Sequence, residues 1–200
     1  MRYVVATFNR HKAAELHALL ALPGVTLVPL ADWPGATAPE EHGNTLLENA
    51  RIKARAAVAL TGLPAIADDT GLEVDALGGA PGVHAARYAG PNATYAENVA
   101  KLLHELAGVP AAKRTARFRT VCVAVWPDGR ELHAEGVLEG VIVEAPRGTN
   151  GFGYDPVFVP AGEMRTYAEL TDAEKNAMSH RARAVKALAR KLSAHPTRTA

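Results

Sequence analysis

Two adjacent carboxylates, Asp68 and Asp69, close the apolar run Ala65-Ile66-Ala67 and are followed by Thr70, Gly71 and Leu72. Apolar runs of this kind end buried. Two neighbouring acids carried in with such a run repel each other and lose water. A cation, a proton or a hydrogen-bond network has to compensate. A divalent ion is the simplest compensation, because hard Mg²⁺ takes carboxylate oxygens. The plainer alternative is a strand-to-turn junction with solvated aspartates.

Four other stretches carry residue types that fit such a centre. Thr7-Phe8-Asn9-Arg10-His11-Lys12 lies between an apolar run and a leucine-bearing helical pattern. A strand, a polar loop and a helix in that order present backbone N–H groups and a lysine to phosphate. The loop lacks the glycines and the Gly-Lys-Ser/Thr ending of a Walker A sequence. Its alternative is an asparagine cap with solvated Arg10 and Lys12. Glu40-Glu41 sits in a loop rich in proline, glycine and acids. Gly148 to Pro156 alternates three glycines with Phe152 and Tyr154 and reaches Asp155. Aromatic rings in such a loop either turn outward and stack on a planar base or fold into the core. Finally, Lys175, Ser179, His180, Arg181 and Arg183 cluster after the capping-box pattern Thr171-Asp172-Ala173-Glu174.

Elements that would position these groups follow from periodicity and punctuation. Tyr3 to Ala6 and Val25 to Leu30 read as short strands. The helix between them carries Leu16, Leu19 and Leu20 on one face and stops at Pro23-Gly24. Thr45-Leu46-Leu47-Glu48 opens an alanine-rich helix to about Leu60 that carries Lys53 and Arg55. A lysine on a helix is ordinarily solvated. Thr94-Tyr95-Ala96-Glu97 opens another helix, with Val99, Leu102, Leu103 and Leu106 as its stripe. Arg117 to Trp126, Glu131 to Glu135 and Val137 to Glu144 read as strands of a meander. Pro127-Asp128-Gly129 is a turn, and Gly136 and Gly140 are candidate bulges. One last helix is expected to run from Thr171 through Val185, Leu188 and Leu192, with Lys175 and Ser179 on one face. The polar segment from Ser193 is expected to fray.

The 200 residues suit one sizeable domain, single or two-lobed. Lys+Arg at 22 against Asp+Glu at 21 leaves a net charge of +1, which argues against a protein that coats nucleic acid. With Cys122 as the only cysteine, no intramolecular disulfide forms, and its apolar surroundings read as core. The start, Met1 to Ala6, passes too quickly into polar residues for a signal peptide. The run Leu16 to Ala31 is too interrupted for a membrane span of ~20 apolar residues. The cytoplasm is the expected compartment, with no nucleic-acid or membrane partner.

Taken in order, these motifs resemble the inosine triphosphate pyrophosphatase family, the diphosphatases of dITP, ITP and XTP. The resemblance rests on Thr7 to Lys12, Glu48-Asn49-Ala50 through Lys53-Ala54, Ala67 to Leu72, Leu77 to Gly82, Phe152 to Pro156 and Glu174 to Arg181, and it covers nearly the whole chain. It implies an α/β protein, residues 1–200 as a single two-lobed domain. A long, twisted mixed β-sheet would be flanked by helices, with the substrate cleft between the lobes, and the protein would be a homodimer. It implies Mg²⁺-dependent hydrolysis of a purine nucleoside triphosphate to the monophosphate and pyrophosphate. By position, Thr7, Phe8, Asn9, Arg10, His11, Lys12 and Lys53 would hold the triphosphate. Asp69 would be the catalytic acid and a metal ligand, with Glu41 of the acid pair as the second ligand. Thr70 would touch substrate. Phe152 would stack on the purine, with Gly153, Tyr154 and Asp155 shaping the pocket and Lys175, His180 and Arg181 reading the base. Adjacent strand residues face opposite ways, so Asp68 is expected to support the turn or act from behind Asp69. Phe8 departs from the small residue usual in the family, and its ring must point away from the phosphates. Two other readings are a diphosphatase of modified pyrimidine nucleotides and a nucleotide- or RNA-binding module without catalysis. The acid clusters argue against the module, since carboxylates repel phosphate unless a metal intervenes.

Overall fold

The computed structural model describes residues 1–20 and 23–194. Among these lie seven strands and five α-helices in the order β1 (Arg2–Val5), α1 (Arg10–Leu19), β2 (Thr26–Pro29), α2 (Leu46–Thr61), β3 (Ala65–Val74), β4 (Pro81–Gly82), α3 (Tyr95–Glu105), β5 (Thr115–Val125), β6 (Glu131–Ile142), β7 (Phe158–Pro160), α4 (Asp172–Met178) and α5 (His180–Ala194). The strands form one mixed sheet, ordered β2-β1-β3-β5-β6-β7, with β4 on β3. β1 is parallel to β2 and to β3, with Val5 opposite Pro29 on one side and Ile66 on the other. Parallel neighbours need crossover connections, and α1 and α2 are those crossovers. β4 and β7 pair antiparallel with β3 and β6. None of the described helices is long and apolar enough to cross a membrane.

Two compact units share these strands. The first comprises residues 1–69, 120–136 and 181–200, and the second residues 70–119 and 137–180. Each has its own core. In the first unit Tyr3, Val5 and Ile66 pack with Leu16 and Leu20 of α1, Cys122 and Trp126, and Val185 and Leu188 of α5. In the second, Leu72 and Val74 pack with Val99, Leu102 and Leu106, with Phe118, and with Phe158 and Tyr167. β3, β5 and β6 run from one unit into the other, so each strand contributes to both cores.

The helix starts follow local chemistry. Reciprocal capping boxes open α2 (Thr45 and Glu48), α3 (Thr94 and Glu97) and α4 (Thr171 and Glu174). Each satisfies two backbone donors that a helix start leaves unpaired. A fourth box, Thr166 with Glu169, opens a short 3-10 turn that the sequence reading did not single out.

Three expectations are corrected. First, Asp68-Asp69-Thr70-Gly71 is not a turn: β3 runs straight through it for 10 residues, buried at both aspartates. A glycine inside a strand paired on both sides does not break it. Second, Gly136 does not divide the meander, because β6 is continuous over 12 residues, and Gly140 pairs in regular register with Pro160 of β7. Gly140 is required by proximity. A Cβ there would lie 2.3 Å from the Val159 carbonyl oxygen and 2.5 Å from Cζ of Phe158. Gly140→Ala is expected to lower stability by about 1–3 kcal/mol, the usual cost of overpacking a filled core. A urea titration with an unchanged midpoint would contradict this.

Third, the last helix is two helices. Ser179 separates α4 from α5 in an extended conformation (φ −61°, ψ 156°), with its N–H on the Lys175 carbonyl oxygen at 2.8 Å. No glycine or proline marks the break. Serine is at home in the non-helical geometry that precedes a helix, and the polar and basic residues on either side hide the interruption. Lys175 and His180 belong to the second unit and Arg181 to the first. Of the tail expected to fray, Ser193 and Ala194 are helical, and residues 195–200 lie outside the described residues.

Candidate functional site

The first unit gathers a cluster of opposed charges around β3. Asp69 Oδ1 accepts from Lys53 Nζ at 2.7 Å, and the same ammonium donates to Glu41 Oε2 at 3.3 Å. Lys53 lies on the buried face of α2, so it is not the solvated helix lysine of the plainer reading. Burial opposes its charge, yet Asp69, Asp68 and Glu41 outweigh burial and hold its pKa above the ordinary lysine value. Asn49, one turn earlier on α2 and fully buried, accepts the Gly43 N–H on Oδ1 at 2.8 Å. That bond fixes the amide orientation and leaves Nδ2 facing Asp69 Oδ2 at 3.5 Å. The approach requires glycine at 43, where a Cβ would lie 2.6 Å from Asn49 Oδ1. Asn49 therefore ties the acid loop to the strand that carries Asp69. Its part in the site was not legible from the motif alone.

Asp68 faces a separate set of partners. It is 1% exposed, and its Oδ2 takes Nε of Arg181 at 3.1 Å and lies 3.6 Å from Lys12 Nζ. Burial favours its neutral form, but Lys12, Arg181 and Lys53 prevail and hold the carboxyl well below the usual carboxylate range. Of the two expectations for Asp68, support of a turn falls away because β3 runs through it, and Asp68 instead anchors two cations behind Asp69. Arg181 is 2% exposed, with Nε on Asp68 and Nη1 on Glu15. Lys12 differs from Lys53. Burial, with Lys53 and Arg181 nearby, pulls its pKa below the ordinary lysine value in spite of Asp68 and Asp69. Cys122 is fully buried, and burial pushes its thiol up, so it offers no ready nucleophile.

The loop from Thr7 to Lys12 is part cap and part open surface. Asn9 is the N-cap of α1, its Oδ1 accepting from the N–H groups of His11 at 3.0 Å and Lys12 at 3.2 Å. Thr7 Oγ1 accepts the Asn9 N–H at 3.1 Å. These bonds shape the loop. Phe8, Arg10 and His11 are exposed.

The donor set suits a hard divalent ion. Glu41 and Asp69 aim oxygens at one cationic position, now held by Lys53. Mg²⁺ is usually bound by one or two carboxylates, with water and substrate phosphate completing its shell. Three cations (Lys12, Lys53, Arg181) against four carboxylates (Glu15, Glu41, Asp68, Asp69) leave the cluster at a formal −1. Further positive charge is needed before a polyphosphate can settle there.

The second unit holds the aromatic part. Asp155 Oδ2 is a hub, taking Lys175 Nζ at 2.6 Å and the Phe152 N–H at 2.8 Å. The Lys175 ammonium also lies 4.7 Å from the Phe152 ring centroid. Gly151 has φ +73°, and a Cβ there would fall 2.1 Å from that same Asp155 oxygen. The two aromatics of the loop divide the alternatives between them. Tyr154 is core, its hydroxyl donating to the Ala85 carbonyl at 2.8 Å. Phe152 stays half-buried beside the exposed ring of Tyr95, 5.9 Å away and tilted 45°. Gly153 supplies the left-handed turn between them, with φ +64°. His180 is buried and stacks on Phe118 at 4.5 Å, 16° from parallel. Thr70, next to Asp69 along β3, is half-buried.

A mixed sheet with parallel crossovers and a buried acid–lysine centre define an α/β protein. The chain belongs to the Ham1 family, whose model matches residues 3–191. It is 51% identical over 185 residues to a dITP/XTP pyrophosphatase of Lactiplantibacillus plantarum, covering 92% of this chain and 91% of that one. It is 53% identical over 184 residues to a protein of the same description from Symbiobacterium thermophilum, covering 92% and 91%. Among solved structures, a HAM1 protein from Coxiella burnetii superposes with a TM-score of 0.87 at 43% identity, covering 97% of this chain and 99% of that one.

Proposed function

We propose that this chain is a nucleoside triphosphate pyrophosphatase. It hydrolyses dITP, ITP and XTP to the monophosphate and pyrophosphate, removing non-standard purines before they enter DNA or RNA. The observation that carries the reading is the buried Lys53–Asp69–Glu41 centre. It is supported by the full-length likeness to proteins described as dITP/XTP pyrophosphatases. We take residues 1–200 as one catalytic domain, at work in the cytoplasm as a homodimer.

In this reading Glu41 and Asp69 hold Mg²⁺. The ion, when bound, polarises a phosphoryl oxygen and offsets charge on the leaving pyrophosphate. Lys53, released from part of its carboxylate contact, turns to the triphosphate. Lys12 is the cation whose charge is least compensated, and a phosphate supplies what it lacks. Thr7 and the loop through Asn9, Arg10 and His11 frame the phosphates, with Phe8 contributing backbone. Thr70 contacts substrate beside Asp69. Asp69 is also placed to accept the proton of the attacking water. Phe152 stacks on the purine, and Lys175, His180 and Arg181 present donors to the 6-keto oxygen that hypoxanthine and xanthine share. Adenine carries an amino donor at that position and would leave those groups unpaired. Sites built on such hydrogen bonds discriminate by up to ~10⁴–10⁵.

Pyrophosphate release from dITP tests the metal and the reaction together. Stoichiometric dIMP and pyrophosphate are expected with Mg²⁺, loss of release with excess EDTA, and recovery when Mg²⁺ is restored. Release of orthophosphate instead, or undiminished turnover in EDTA, would contradict the proposal.

A further inference from the structure

We propose that Asn49 is a positioning residue for the metal-holding acids: its amide pins the acid loop at Gly43 and so sets where Glu41 stands relative to Asp69. This inference rests on the reading above in which Glu41 and Asp69 hold Mg²⁺. Residues 36–43 form no helix or strand, so the bonds at the end of that loop decide where Glu41 lies. Three consecutive backbone N–H groups there are taken by two consecutive side chains of α2. Asn49 Oδ1 takes Gly43 at 2.8 Å, and Glu48 Oε2 takes Asn44 at 2.7 Å and Thr45 at 3.1 Å. Glu48 is exposed and caps its own helix. Asn49 is fully buried and also faces β3, with Nδ2 3.5 Å from Asp69 Oδ2.

Gly43 has no left-handed backbone, so space and not φ calls for glycine there. A Cβ would lie 2.6 Å from Asn49 Oδ1 and 2.7 Å from Glu48 Cβ. The loop end therefore rests directly on the first turn of α2. Glu41 is two residues upstream, within about 7 Å of chain. Lys53 also holds Glu41, at 3.3 Å, but that contact is the one given up in part when the two carboxylates take an ion. The Asn49–Gly43 bond carries no charge that an ion displaces, so it keeps Glu41 within reach of Asp69 through the exchange. Without the amide, the loop is free over a longer stretch, and ordering it becomes a cost of binding the metal. The consequence falls on metal affinity and not on the choice of base.

The test compares wild type with Asn49→Ala and Gly43→Ala, which act on the same bond from its two sides, checking fold by circular dichroism and urea titration. Mn²⁺, which takes the same oxygen ligands, is titrated into the nucleotide-free protein and its free form read by electron paramagnetic resonance. The Mg²⁺ concentration for half-maximal pyrophosphate release from dITP is measured alongside. Both variants are expected to weaken Mn²⁺ binding by about 10–100-fold, as loss of a group that holds metal ligands does. The Mg²⁺ requirement should rise by a similar factor, saturating Mg²⁺ should restore most of the lost turnover, and the dITP-to-dATP preference should stay as in wild type. If Asn49→Ala does not fold, Gly43→Ala, placed in the loop, carries the test. A lowered urea midpoint with wild-type metal constants would show a purely structural role and overturn the inference. A changed base preference with unchanged metal constants would also overturn it. A wild type that binds no Mn²⁺ and turns over dITP in excess EDTA would instead sink the metal reading itself.

Discussion

Asp69→Asn is expected to abolish pyrophosphate release from dITP while leaving the protein folded. The substitution keeps the shape of the side chain and removes its charge. Three things depend on that charge: the bond from Lys53 Nζ at 2.7 Å, the second carboxylate of the metal site, and the acceptor for a water proton. Loss of a positioned acid or base alone costs about 10²–10⁴-fold, and weakened metal binding adds to it, so turnover should fall by at least about 10³-fold. The fold should survive, because Lys53 keeps Glu41 at 3.3 Å and the asparagine can still accept from it. Full activity in a folded Asp69→Asn variant would refute the assignment of Asp69. Unfolding of the variant would show that the charge serves structure before chemistry.

The largest effect on stability is expected at the neighbouring position. Asp68→Asn removes the carboxylate that Arg181 and Lys12 share and leaves the buried Arg181 guanidinium against Glu15. Breaking a buried ion pair from one side costs about 3–5 kcal/mol. The same residue sets a pH dependence. Its folded pKa lies below the unfolded value of about 3.9, so between the two the unfolded chain binds more protons and stability rises with pH. The contribution is fully present above about pH 4–5 and is lost as the pH falls through the folded pKa. Glu174, held at about 2 by its capping bonds and Arg165, acts in the same direction from the surface. Urea titrations of wild type and Asp68→Asn from pH 6 to pH 2.5 should therefore show a large gap at pH 6 that narrows on acidification. Parallel curves with a constant gap would rule out the charge as its cause.

What the sequence made legible was local. The capping boxes at Thr45, Thr94 and Thr171 span four residues each, so their partners are written side by side. The cost of burying Asp68-Asp69 was legible too, because an apolar run leads into it. The identity of the compensating groups was not, since Arg181 is separated from Asp68 by 113 positions and was read with its neighbours Lys175 and His180. Lys175 and His180 fall in the second unit and Arg181 in the first, and no glycine or proline announces the helix break at Ser179. Gly71, Gly136 and Gly140 misled in the opposite direction. Gly71 was read as part of a turn and Gly136 as a break between strands, whereas the strands run through both, and Gly140, expected inside its strand as a bulge, pairs regularly with Pro160. Phe152 and Tyr154 are alike in type, and only the bond from the Tyr154 hydroxyl to Ala85 separates the core ring from the half-exposed one. Of the pair Glu40-Glu41, Glu41 is the one that lies against Lys53, at 3.3 Å.

The central claim concerns which base is accepted at a Mg²⁺-dependent diphosphatase centre. It is tested most directly by kcat/KM for pyrophosphate release from dITP and XTP against dATP, dGTP and methylated pyrimidine triphosphates in one Mg²⁺ buffer. The expected result is that dITP and XTP exceed every other substrate, with dATP lowest among the purines because its amino group meets donors. Faster turnover of the methylated pyrimidines than of dITP, or equal turnover of dATP and dITP, would contradict it.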